Sequence, residues 1–214
     1  MSTEGSDASA ASPATPARKR APTQQRSRER LERILNAASE LIAKAGSDQM
    51  KMSEVAERAG ISIGSLYQYF PDKAAIIRTL AERYALADRQ CIADALAQVR
   101  DLDDLRRAYI DLIDTHYSMF LAEPVMRDIS SGMQADKELM AIELNESRRN
   151  SALLADVMAR LHPGIPKDKI AATAFLAWQL CEATMRLAIS TNRTEGDALV
   201  EAFKQMTLRE ILEP

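Results

Sequence analysis

Within this 214-residue chain, Val55-Ala56-Glu57-Arg58-Ala59-Gly60-Ile61-Ser62-Ile63-Gly64-Ser65-Leu66-Tyr67-Gln68-Tyr69-Phe70-Pro71-Asp72-Lys73 holds two short amphipathic helices around a glycine. Ser53 is the expected N-cap of the first, with Glu54 and Glu57 following and Val55, Ala56 and Ala59 on its apolar side. Gly60 supplies the left-handed backbone needed to reverse the chain. Ser62 caps the second, Ile63 to Phe70, which Pro71 stops. Ala56 and Ala59 are small enough to let the two helices approach closely. Leu66 and Phe70, four apart, form the inward side of the second helix, leaving Ser65, Tyr67, Gln68 and Tyr69 directed largely outward. Exposed tyrosines in a chain with 5% aromatics point to a bound partner. The competing role is half-buried packing, expected for one of the pair. The pattern is that of a helix-turn-helix.

Upstream, Leu31, Ile34, Leu35, Ala38, Leu41, Ile42 and Ala45 recur at three- and four-residue steps, predicting an amphipathic helix that ends at Gly46. Residues 1–25 are rich in Ser, Thr, Ala and Pro and are expected to be a disordered basic arm, with order beginning near Ser27. Their Ser content and Arg18-Lys19-Arg20 cluster hint at a transit peptide, against which stand Glu4, Asp7 and the absence of an amphipathic face. Downstream, periodicity predicts helices over Asp72–Gln98, Asp101–Ala122, Pro124–Met133 and Ala135–His162. An almost wholly apolar helix, Ile170–Ile189, follows, and then a last helix after Gly196 bearing Leu199, Phe203, Met206 and Leu208. The expected fold is all-α, about nine helices, with an N-terminal three-helix helix-turn-helix domain and a C-terminal helical bundle. The expected boundaries are a 1–25 arm, a 26–87 domain and an 88–214 bundle.

Composition removes other classes. With 46% hydrophobic residues and only 7 glycines, the chain has a core but lacks the glycines of β-sandwiches or nucleotide cradles. Cys91 and Cys181 cannot make a disulfide scaffold or a four-cysteine zinc site, and His116 and His162 do not make a histidine metal site, so no metal or cofactor is expected. The run Ile170–Cys181 is shorter than the roughly 20 residues a membrane span needs. No apolar signal segment is evident, so the expected compartment is the cytoplasm. Neither a nucleophile elbow nor a phosphate loop is present, which argues against an enzyme. Charge is uneven: 12 basic against 9 acidic residues through Arg78, then 16 against 22. A basic front on an acidic body suits a protein meeting a polyanion with one end, although a solubilising tail gives the same signal.

The stretch Val55–Lys73, with the Leu31–Ala45 helix before it and a long helix opening at Lys73, resembles the DNA-binding signature of TetR-family transcriptional regulators. The close resemblance covers roughly Arg28 to Ala87, with Ser53 and Ser65 standing where threonine is common. It implies double-stranded operator DNA as partner, with Ile61–Lys73 at the major groove. Ile63, Gly64, Ser62, Ser65 and Gln68 would approach the duplex; Gln68 suits a two-pronged contact with adenine, worth about 1–3 kcal/mol of discrimination. Tyr67, Tyr69 and Lys73 are implied phosphate contacts, and Lys51 and Ser53 would meet the backbone at a helix start. The basic arm would enter a minor groove or simply raise non-specific affinity.

The resemblance further implies a homodimer built on the last two helices, with Ala174, Trp178, Cys181, Met185, Phe203 and Met206 as the expected interface; the alternative is that both helices are core. It also implies a small-molecule effector pocket, for which Tyr109, His116, Met119, Phe120, Met126 and Met133 are the candidates. The competing view is an ordinary core stripe, and for any single residue that view wins. The implied function is a ligand-responsive repressor of a near-palindromic operator, with helix Asp72–Gln98 linking the two regions. An activator or partner-controlled regulator, or a helical interaction module with a basic tail, are the alternatives.

Overall fold

The computed structural model describes residues 20–133 and 137–214, with side chains placed in all of these except 20–23, 133, 137–139 and 142. Among the described residues there are nine α-helices and no strand. They are α1 Arg20–Ala45, α2 Met52–Arg58, α3 Ile63–Tyr69, α4 Lys73–Ala97, α5 Leu102–Ala122, α6 Pro124–Met133, α7 Lys137–Leu161, α8 Lys167–Ser190 and α9 Arg193–Leu212. None is long and apolar enough to cross a membrane.

Two apolar cores organise them. The first gathers Ile34, Leu35, Ala38 and Ile42 of α1, Val55 and Ala56 of α2, Leu66 of α3 and Ile76, Leu80 and Ala81 of α4. The second gathers Ile92 and Leu96 of α4, Leu105, Ile113 and Phe120 of α5, Met158 of α7, Ile170 and Met185 of α8, and Val200, Phe203 and Ile211 of α9. Helix α4 therefore contributes to both, passing through residue 87 where the boundary between the two units was expected. Helix α6 is also shared: Val125 and Ile129 enter the first core while Met126 packs on the second.

Three local expectations are corrected. Residues 20–25 are the opening of α1 rather than part of a disordered arm. Pro22 sits in the first turn, where its missing N–H costs nothing, and Gln24 to Arg26 are sound helix formers. A bond from Gln25 Nε2 to Glu29 Oε1 at 3.0 Å supports the turn. Arg26, Arg28, Arg30 and Arg33 consequently stand exposed on a helix, whereas Arg18 and Lys19 lie outside the described residues. Second, Lys51, not Ser53, occupies the cap of α2, with φ −112° and ψ 139° and no side-chain capping bond. Burial of Met50 fixes the chain so that helical backbone starts at Met52. Third, Gly196 lies inside α9, whose cap is Asn192, its side chain accepting from the Glu195 N–H at 3.1 Å. A Cβ on Gly196 would stand 2.6 Å from the Ala188 carbonyl oxygen and 2.7 Å from the Tyr117 hydroxyl, so this glycine sets how closely α9 meets α8 and α5.

The remaining starts follow sequence chemistry. Ser62, Asp72 and Asp101 cap α3, α4 and α5, each side chain accepting from a backbone N–H three residues on. Gly60 has φ +66° at the α2–α3 turn and Gly46 φ +85° after α1, the left-handed conformation that glycine adopts without strain.

Candidate DNA interface and ligand cavity

Helix α3 is only seven residues long and is held by two anchors, Leu66 with no exposed surface and Phe70 at 4%. Anchoring by one edge leaves the opposite edge free. Tyr67 is 52% and Ile63 43% exposed, Gln68 and Gly64 are exposed beside them, and nothing lies within 4 Å of a Cβ built on Gly64. Ser62 and Ser65 are engaged with each other: Ser62 Oγ accepts from the Ser65 N–H at 3.1 Å and donates to Ser65 Oγ at 2.9 Å. Tyr69 is half-buried, its hydroxyl 3.2 Å from Ser27 Oγ on α1, so it fills the packing role expected of one tyrosine of the pair. Lys73, also half-buried, donates from Nζ to the Asp48 carbonyl at 3.0 Å, spending one of three donors. Lys51 and Ser53 are exposed at the start of α2. The ten sequence-predicted residues thus divide into an outward edge and a set tied into the scaffold.

In the bundle, a cavity of about 100 Å³ lies between α4, α5, α6, α7 and α8. A smaller one of about 40 Å³ adjoins it, and Asp88, His116 and Trp178 line both. Of the predicted pocket residues, His116, Phe120 and Met126 line the larger cavity and Tyr109, His116 and Met119 the smaller. Met133 ends α6, and its side chain lies outside the described residues.

His116 is the electrostatic centre. It is buried between two carboxylates, Nδ1 3.4 Å from Asp88 Oδ1 and Nε2 3.3 Å from Glu182 Oε1, ion-pair distances without well-aligned hydrogen bonds. Burial alone would lower its pKa, but Glu182 and Asp88 outweigh that and hold it raised to about 10, so the ring is an imidazolium. Glu182 shows the mirror case: burial raises it, while His116 and Arg186 more than compensate and leave it lowered. Arg186 also reaches Glu143 on α7 at 3.1 Å, and Arg89 pairs with Glu146. A layer of charge therefore crosses α4, α5, α7 and α8 beside the cavity. The hydroxyl of Tyr109 donates instead to Thr207 at 2.8 Å, and burial pushes its pKa up.

Asp88, Glu182 and Asn150 were missed in sequence reasoning. Glu182 and Arg186 did carry a signal, as the only charges between Ile170 and Ile189; Asp88 and Asn150 sit in ordinary amphipathic patterns and carried none.

The residues expected at a dimer surface are placed differently. Ala174, Cys181, Met185 and Phe203 are buried in the second core of a single chain, and Trp178 lines the cavities, so these five face inward. The reason is that α8 packs heavily on both α7 and α9, which consumes one apolar side of it. Met206 alone is exposed, at 74%. The large apolar residues that α8 leaves outward are Leu176, Leu180 and Leu187.

The model of the tetracyclin repressor-like C-terminal domain matches residues 103–214, and that of bacterial regulatory proteins of the tetR family matches 34–80. The transcriptional repressor KstR of Mycobacterium tuberculosis is 38% identical over 73 residues, 32% of this chain. The chain matches about a third of that relative's length (33%). A TetR-family regulator from Pectobacterium atrosepticum superposes with a TM-score of 0.69 at 16% identity, covering 92% of this chain and 99% of that one. The regulator FadR of Bacillus subtilis, solved in complex with stearoyl-CoA, superposes at 0.62 with 19% identity over 86% of this chain and 98% of that one.

Proposed function

Because the chain belongs to the TetR family of bacterial transcriptional regulators, we propose that it is a cytoplasmic repressor that binds a near-palindromic operator as a homodimer and is released by a small molecule. The observation that carries this reading is the exposed edge of α3. Ile63, Gly64, Tyr67 and Gln68 are presented by a helix whose other side is locked by Leu66 and Phe70. A major groove admits one such helix, and its side chains then reach base edges while neighbours hold phosphates. Tyr67 and Gln68 are the free contacts of this set. Ser65, Tyr69 and Lys73 position the helix as well as contacting DNA, since each is bonded to the scaffold. The exposed arginines of α1 add non-specific attraction to the duplex.

One helix-turn-helix module binds weakly, and a two-fold dimer doubles the contact. Leu176, Leu180 and Leu187 of α8, together with Met206 of α9, are the surface for it, replacing the inward residues expected from sequence. The effector occupies the cavity around His116. Two helices transmit its presence: α4, which enters both cores, and α6. Met126, Ile129 and Ser130 of α6 line the cavity. Asp128 of the same helix accepts from the Ser47 N–H at 3.0 Å in the turn after α1. A ligand shifts the spacing of the two α3 helices only through its differential affinity for the two arrangements.

The test is selection of genomic fragments by the purified protein at near-physiological salt, repeated with Tyr67→Ala plus Lys73→Ala. A small set of inverted-repeat sites, lost in the double variant, is the expected outcome. Fragments with no shared motif, or recovered equally by the variant, would refute specific operator binding.

A further inference from the structure

The larger cavity has a one-sided polar wall. Four carboxylates line it, Asp88, Glu143, Glu146 and Glu182, and His116 is the one cation among the described lining residues. Arg89 and Arg186 pair with these acids without lining the space. The two ring nitrogens of His116 stand at ion-pair distance from Asp88 and Glu182. Hydroxyls of Tyr84, Ser130 and Ser147 donate or accept as required. What the wall offers in excess is therefore acceptors.

An independent observation points the same way. Asn150, another wall residue, is 3% exposed and donates from Nδ2 to Asp88 Oδ2 at 3.2 Å, which fixes the orientation of its amide. Its Oδ1 is buried with no hydrogen-bond partner among the described residues. A buried carbonyl left in that state costs free energy that a donor would recover. The rest of the wall is apolar and aromatic, with Phe120 and Trp178 flanking the His116 ring at 5.0 and 6.0 Å between centroids.

We propose that this cavity binds a small primary or secondary ammonium compound with a single apolar ring or short chain. Its N–H groups donate to Asn150 Oδ1 and to the neighbouring Asp88 carboxylate, and its apolar body lies against Trp178 and Phe120. Charge-assisted bonds to carboxylate are stronger than neutral ones, and an aromatic face attracts a cation, so an ammonium gains twice where an alcohol gains once. A carboxylate ligand would bring no donor and leave Asn150 unsatisfied. The larger cavity of about 100 Å³ suits a short chain, and the adjoining one of about 40 Å³ brings the space near that of one small ring. The inference rests on the cavity being the effector site.

The test is isothermal titration of the full chain with benzylammonium, 2-phenylethylammonium and n-hexylammonium, against 2-phenylethanol and 3-phenylpropanoate. At least one ammonium is expected to bind about tenfold or more tightly than the alcohol, with no binding of the carboxylate. Asn150→Leu, which keeps the volume and removes the acceptor, is expected to lose about tenfold for the ammonium. Asp88→Asn serves as the second variant, with thermal unfolding establishing that each is folded. The proposal is overturned if no ammonium binds, if alcohol or carboxylate binds as well, or if both folded variants bind the ammonium unchanged. The two readings fail separately. An ammonium that binds through Asn150 but leaves operator affinity unaltered removes the effector role and keeps the site. A neutral or anionic compound that fills the cavity and releases operator does the reverse.

Discussion

Helix α3 and the cavity around His116 place polar groups in opposite ways. On α3 the apolar residues Leu66 and Phe70 point inward and the polar edge meets water, so the groups that would contact DNA cost little to keep free. Around His116 the charges are buried and must satisfy one another: one imidazolium between two carboxylates, one guanidinium between Glu143 and Glu182. The first region keeps its polar groups on a surface that tolerates change. The second keeps them in a neutralised interior, where each group's state depends on the rest.

The largest effects test whether the two regions have separate cores. Truncating Leu66→Ala or Met158→Ala, both fully buried, is expected to cost about 2–5 kcal/mol each. Calorimetry of Leu66→Ala should show early loss of the N-terminal unit. A single transition displaced equally by both variants would break the division drawn above.

The interior charge gives the next effect, with a sign set by linkage. His116 has its pKa raised from 6.5 to about 10 on folding, so its stabilisation is complete below 6.5 and disappears as pH rises through about 10. Replacing it by Leu leaves Asp88 and Glu182 facing each other and is expected to cost about 3 kcal/mol at pH 6. The urea midpoints of wild type and His116→Leu should converge between pH 6 and 10. A gap independent of pH would mean the ring is neutral in the folded protein.

Two glycines give the smallest and sharpest contrast. Gly196→Ala pushes a methyl onto the Ala188 carbonyl and the Tyr117 hydroxyl and should destabilise by about 1–3 kcal/mol. Gly64→Ala meets nothing and should stabilise α3 by about 0.5–1 kcal/mol. The same methyl stands on the edge offered to DNA, so operator affinity should fall while the melting temperature rises. Affinity and stability moving together at residue 64 would show that this edge is not the contact.

Legibility differed between the regions for a physical reason. The α2–α3 unit is specified by short-range signals, namely Ser62, Gly60, Pro71 and the Leu66–Phe70 spacing, all within one turn of what they control. Helix spans in the bundle were also visible, because Asp72, Asp101 and Pro124 mark starts locally. Two failures at helix ends, Ser53 and Gly196, arose where buried Met50 and the α8–α9 crossing overrode local capping preference. Rotation of α8 was not legible at all. A helix apolar on nearly every side gives no clue to which side the chain itself uses, which is why Trp178, Cys181 and Met185, expected at a dimer surface, face their own core. The His116 network was half legible: Glu182 and Arg186 stood out on α8, but Asp88 and Asn150 gain meaning only from a contact 62 residues apart.

Ile129 belongs at once to the first core and to the cavity wall. A side chain held in common is a physical contact through which an occupant of the cavity can bias the first core. Under the proposed function, whatever factor an occupant of the cavity imposes on operator affinity, the operator must impose on the occupant. A molecule seated on its DNA and one free in solution would then differ in their appetite for the same small molecule. The population without DNA would take it up first, acting as a sink that sets the concentration at which the bound copies respond.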